Sequence, residues 1–129
     1  MTHSTLPDGS PIIQPKGEID LSNSSSFEQE VEAALSSSPA ACVVDLTRVT
    51  FLDSSVIRIL MTAQRSLSAH QGLLVLVVKG GVAERVVRLT RFDLIPDVLV
   101  LGRLEEAQTA IAALRAAPPD DASLAQRRD

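Results

Sequence analysis

An α/β fold with a mostly parallel sheet is predicted by three features of this 129-residue chain. Apolar runs at 41–46, 73–78 and 98–101 have the length and branched composition of buried strands. Each is followed by a stretch with helical spacing, near 54–69, 81–92 and 103–116. Strands that alternate with helical crossovers align in parallel, because the connection must return to the same end of the sheet.

The elements follow in order. Asp8-Gly9 is a two-residue turn signal, and residues 11–19 read as the strand after it. Pro15 lacks a donor for the ladder, which gives that strand an edge position or a bulge. Ser24, Ser25 and Ser26 offer N-caps, with Glu28 placed to close a capping box. Phe27, Val31, Ala34 and Leu35 then form one stripe of a helix over 26–35, which ends in Ser36 to Pro39. After the strand at 41–46, Thr47 to Thr50 reads as a connection, and Phe51-Leu52-Asp53-Ser54-Ser55 as the entry to a long helix over 54–69.

That helix is apolar around most of its first turns: Val56, Ile57, Ile59, Leu60 and Met61. Only part of the ring can face a sheet, so the rest is covered by another helix or left for a partner. Gly72 stops the helix and Gly80-Gly81 starts the next one, whose inner face is Val82, Val86, Leu89 and Phe92. Pro96 precedes the strand at 98–101, and the final helix over 103–116 carries Leu104, Ala107, Ile111 and Leu114 on one side. Residues 1–10 are an N-terminal segment able to supply an edge strand, and 11–117 form the folded domain. Residues 118–129 have too little apolar surface to offset ordering, which predicts a disordered tail.

Composition narrows the function. The length suits one domain, and the only aromatics, Phe27, Phe51 and Phe92, leave no Trp or Tyr for stacking on bases or sugars. A net charge of −4 argues against nucleic acid as a partner. Arg85, Arg88 and Arg91 recur at a spacing of three, but Glu84 and Asp93 interrupt them, as on a solvated helix face. Cys42 is alone and opens a buried strand, which suits a core residue in a reducing cytoplasm. No signal sequence or membrane span is expected.

Catalytic patterns are missing. His3 sits in an expected frayed terminus, and His70 lies roughly four turns, about 20 Å, from Ser55 along one helix. No cluster has metal-ligand spacing, and Gly80-Gly81 lacks the lysine and hydroxyl of a phosphate loop. Asp45 and Asp53 fall near one strand end without a third group, which is weak support for acid–base work.

The helix start at Asp53 is more informative. Asp53 suits the N-cap, accepting from N–H groups two and three residues on. Ser54 and Ser55 follow in the first turn, where a hydroxyl is expected to face solvent and a phosphate to be tolerated by the helix dipole. Arg58 is close enough to pair with such a phosphate. Phosphorylation there adds nearly two negative charges, which would disrupt a contact matched to a neutral hydroxyl.

Val43-Val44-Asp45-Leu46, Val49, Phe51 and Asp53-Ser54-Ser55 together resemble the signature of STAS domains, specifically bacterial anti-sigma factor antagonists. The resemblance extends to Gly17-Glu18-Ile19-Asp20, to Val86-Val87-Arg88-Leu89-Thr90 before Phe92-Asp93, and to Glu105-Glu106-Ala107. It implies an α/β STAS-like single domain, a small mixed sheet with helices mainly on one face, and no enzyme activity or cofactor. It also implies binding of an anti-sigma factor of serine-kinase type, release of a sigma factor, and phosphorylation at Ser55 reversed by a phosphatase. Implied partner contacts are Asp20, Asp53, Ser54, Ser55, Val56, Ile57 and Arg58, on a monomer or weak homodimer. The family's Gly-apolar-Gly after the triplet is Val56-Ile57-Arg58 here, filling space a partner backbone would approach. A non-catalytic scaffold or accessory subunit of a stress-signalling or transporter complex is the alternative expectation.

Overall fold

The computed structural model describes residues 4–116; the expected tail at 118–129 and His3 lie outside the described residues. A five-stranded sheet forms the centre, in the order β1 (Ser4–Thr5), β2 (Pro11–Ile13), β4 (Ala41–Asp45), β6 (Leu73–Val77), β7 (Val98–Leu101). Only the β1–β2 pair is antiparallel; β2–β4, β4–β6 and β6–β7 are parallel. A second, two-stranded parallel sheet pairs β3 (Gly17–Ile19) with β5 (Val49–Leu52). The helices are α1 (Ser24–Leu35), α2 (Ser54–Ser68), α3 (Gly81–Leu89) and α4 (Glu105–Ala116), with a 3-10 turn at Phe92–Leu94.

Alternation along β4 explains the layering, since successive side chains leave opposite faces of a strand. Cys42, Val44 and the following Leu46 join Phe27 and Val31 of α1, Val56, Leu60 and Leu67 of α2, and Ala83 and Val87 of α3 in the main core. Ala41 and Val43 point the other way, with Val75 and Val77 of β6, and are covered by Ala107 and Ile111 of α4. Three helices thus pack on one face and one on the other. The central strands β4 and β6 are buried on both sides, which is why they read as near-continuous apolar runs.

Several elements differ from their sequence reading. The single strand expected over 11–19 is two strands in two sheets. The chain leaves β2 at Gln14-Pro15-Lys16, where proline offers no N–H, and re-forms after Gly17 in a left-handed conformation (φ 81°). Residues 47–50 are not simply a connection. Asp45 Oδ1 accepts from Thr47 N–H (3.0 Å) and Thr47 Oγ1 (2.7 Å), turning the chain into β5. Phe51 is therefore a strand residue paired with Glu18, not part of the helix entry.

Helix α1 begins two residues earlier than expected, and none of the serines caps it. Asn23 holds the N-cap position, but its Oδ1 accepts from Asp20 N–H and its Nδ2 donates to Glu18 O, both at 2.9 Å. On α3 the inner face is shifted by one residue: Ala83 and Val87 are buried, while Leu89 is 74% exposed. Phe92 is buried from the 3-10 turn rather than from α3, because Arg91 adopts a left-handed conformation (φ 58°) that ends the helical spacing. Leu114 of α4 is likewise exposed, since Ala107 and Ile111 suffice to cover the narrow second face.

Candidate functional site

The β5–α2 junction contains a single residue, Asp53, in extended conformation at the N-cap of α2. Its Oδ1 accepts from Ser55 N–H at 2.9 Å and from the Ser55 hydroxyl. Its Oδ2 accepts from Leu21 N–H at 3.1 Å, across 32 residues of sequence. These bonds, led by the Ser55 hydroxyl, hold the Asp53 carboxyl below the usual aspartate range. One side chain therefore caps a helix and tethers the loop between β3 and α1.

That loop has its own internal scaffold. Asp20 Oδ1 accepts from Ser22 N–H (2.9 Å) and the Ser22 hydroxyl (2.5 Å), a turn that an aspartate imposes on its own backbone. Asn23 N–H and Ser24 N–H both donate to Asp20 O. Between these anchors, Leu21 stands 74% exposed. Asp20 and Asp53, far apart in sequence, are thereby brought to the same end of α2.

The residues after Asp53 separate according to helical rotation. Ser54 and Arg58, one turn apart, are exposed, and Ile57 is half-buried. Ser55 is only 3% exposed and Val56 is fully buried. The expectation that both serine hydroxyls face solvent holds for Ser54 and fails for Ser55, which shares its stripe with buried Ile59 and whose hydroxyl donates a hydrogen bond to Asp53. Val56 is likewise no surface contact: it and Leu60, four residues on, face the core together. Thus Asp20, Asp53, Ser54, Ile57 and Arg58 present surface, while Ser55 and Val56 support it from beneath.

Leu21 is a surface residue that sequence reasoning missed, although an apolar side chain between Asp20 and Ser22 in a polar loop was the available signal. Phe51, 44% exposed on β5, was hidden by reading it as part of a helix.

Other chemistry is sparse. His70 Nε2 lies 3.0 Å from Pro39 O at the far end of α2, so it makes no dyad with Ser55. Burial pushes the Cys42 thiol up to about 12, a value at which it is not a nucleophile. No group of His, Cys, Asp and Glu suited to a metal ion occurs among the described residues. No helix among them is long and apolar enough to cross a membrane.

A mixed sheet with three helices on one face, and a hydroxyl-bearing helix start tied to the loop after Gly17-Glu18-Ile19, defines a STAS-type α/β domain. A family model described as "Mlab, STAS domain" matches residues 3–102, and the chain belongs to the STAS domain family. Solved structures similar to it include anti-sigma factor antagonists. One from Mycobacterium paratuberculosis is 31% identical, with a TM-score of 0.73 over 86% of this chain and 95% of that one. A putative antagonist from Thermotoga maritima is 24% identical, with a TM-score of 0.76 over 86% and 93%. The Bacillus cell fate determinant SpoIIAA in its phosphorylated form is 18% identical, with a TM-score of 0.66 over 85% and 97%, and shows the fold alone. No curated protein matches the sequence.

Proposed function

We propose that this chain is a non-catalytic anti-sigma factor antagonist. It binds an anti-sigma factor of serine-kinase type through the surface made by Asp20, Leu21, Asp53, Ser54, Ile57 and Arg58, and so releases a sigma factor. Phosphorylation of the Asp53-Ser54-Ser55 element by that kinase ends the interaction, and a phosphatase restores it. The observation that carries this reading is the similarity to the Mycobacterium antagonist across most of both chains.

The acceptor we propose is Ser54. Its exposure supports it over Ser55, whose hydroxyl is buried and committed to Asp53. A dianion at Ser54 would sit beside Asp53 in the contact, and like charges juxtaposed in a desolvated interface cost several kcal/mol. Each ~1.4 kcal/mol is a tenfold loss of affinity, so one modification suffices to end binding without refolding the domain.

The test is incubation with candidate anti-sigma kinases and ATP. Ser54→Ala is expected to abolish labelling and keep binding, Ser55→Ala to keep labelling, and Ser54→Glu to weaken binding. Labelling lost only in Ser55→Ala would move the acceptor to Ser55; equal binding by Ser54→Glu would reject the charge switch. A second reading, an accessory subunit of a transporter or signalling scaffold, is supported by Val56-Ile57-Arg58 standing where the antagonists carry Gly-apolar-Gly. Co-purification with such an assembly, and with no ATP-binding anti-sigma protein, would select it.

A further inference from the structure

The outer stripe of α2 contains a cation with nothing to bind. Ser54, Arg58, Met61, Thr62 and Arg65 are its exposed residues, and Arg58 and Arg65 are the only charged residues on α2. Arg58 forms no ion pair or side-chain hydrogen bond among the described residues. The nearest anion in sequence, Asp53, has both oxygens engaged, by Ser55 and by Leu21. Asp20 Oδ1 is engaged by Ser22. Across from α2, Glu28 and Glu32 of α1 face the neighbouring stripe, lining a groove of about 280 Å³ with Ile59, Thr62, Ala63 and Ser66.

Ser54 lies four residues N-terminal to Arg58, and side chains so spaced on a helix are neighbours with Cβ atoms roughly 5–6 Å apart. An anion N-terminal to its cation is the favourable order for such a pair. A phosphoserine supplies nearly two charges and three acceptor oxygens, and a guanidinium matches a phosphate with two parallel donors. We propose that Arg58 is the intramolecular counterion of phosphorylated Ser54, a positioning residue that holds the phosphate against α2 in its dianionic form. This rests on Ser54 as the acceptor and extends it: the modified state is stabilised by the domain itself. The charge presented to a partner then includes a phosphate already paired on one side.

The experiment installs phosphoserine at position 54 during translation, so that no kinase is needed, and follows the phosphate by phosphorus NMR across its second ionisation. Relative to the wild type, Arg58→Gln is expected to raise the proton affinity of the phosphate about twofold or more. Arg58→Lys should recover part of the difference, since it keeps the charge and loses the planar fork. Arg65→Gln, two turns further along the same stripe, should leave the titration in place. Superimposable curves for wild type and Arg58→Gln overturn the pairing, and an equal shift from Arg65→Gln reduces it to general charge. Because the phosphate is installed without a kinase, failure here leaves the acceptor assignment standing, and failure of kinase labelling at Ser54 leaves this measurement valid.

Discussion

Asp53 and Leu21, 32 residues apart in sequence, are joined by a 3.1 Å hydrogen bond from the Leu21 backbone to the Asp53 carboxylate. The same carboxylate organises the first turn of α2. The loop that exposes Leu21 and the helix that exposes Ser54 therefore share one anchor, and a change at that anchor reaches both.

Replacing the anchor should be felt in a defined pH window. The hydrogen bonds from Ser55 and Leu21 lower the folded-state pKa of Asp53. A group lowered in this way stabilises the fold above its unfolded value, about 3.9, and the contribution is lost as pH falls through the folded value. Asp53→Asn is expected to lower the melting temperature at neutral pH, with the gap to wild type closing below about pH 4. In amide exchange, Leu21 and Ser55 should lose protection together. A gap that stays constant into the acid range would contradict the assignment.

Adjacent residues on α2 should behave oppositely. Leu60 is fully buried, whereas Met61 is 38% exposed on the outer stripe. Leu60→Ala is expected to cost about 2–5 kcal/mol, from lost burial and the cavity left behind. Met61→Ala should stay within about 0.5 kcal/mol. Urea unfolding of the two variants is the measurement.

Leu21 offers a test of the binding surface that leaves the fold alone. Leu21→Ser keeps the backbone N–H that Asp53 accepts and removes a side chain that is 74% exposed. Stability should be unchanged, while affinity for the anti-sigma partner falls by about tenfold or more if the leucine anchors the contact. Unaltered affinity would remove Leu21 from the interface.

Cys42 should be silent. With the thiol pushed up to about 12 by burial, a thiol-reactive dye at about pH 8 is expected to label the unfolded chain and spare the native one. Rapid native labelling would mean that the β4 region opens far more often than its packing implies.

The strands at 41–45, 73–77 and 98–101 and the helices between them were legible because helices cover both faces of the sheet, and Asp45, at the last position of its strand, is the one polar residue in these three. The N-cap role of Asp53 was legible for a similar reason, since an acidic side chain before a helix satisfies N–H groups only a few residues away. The break at Pro15 and the β3–β5 pairing were not, because strand pairing across 32 residues has no local signature. The one-residue rotation of α3 was also hidden: Val82 and Val86 are as apolar as Ala83 and Val87, and packing against β5 decides between them.

From its amino acids alone, the chain specified a parallel α/β core, a capped helix start and two serines beside it, all consequences of short-range periodicity and capping chemistry. Tertiary structure decided which serine is reachable, which apolar residues remain outside, and that the Leu21 backbone meets the Asp53 carboxylate. Those outcomes depend on the rotation of α2 against the sheet and on contacts between distant segments. Neighbouring residues do not encode either.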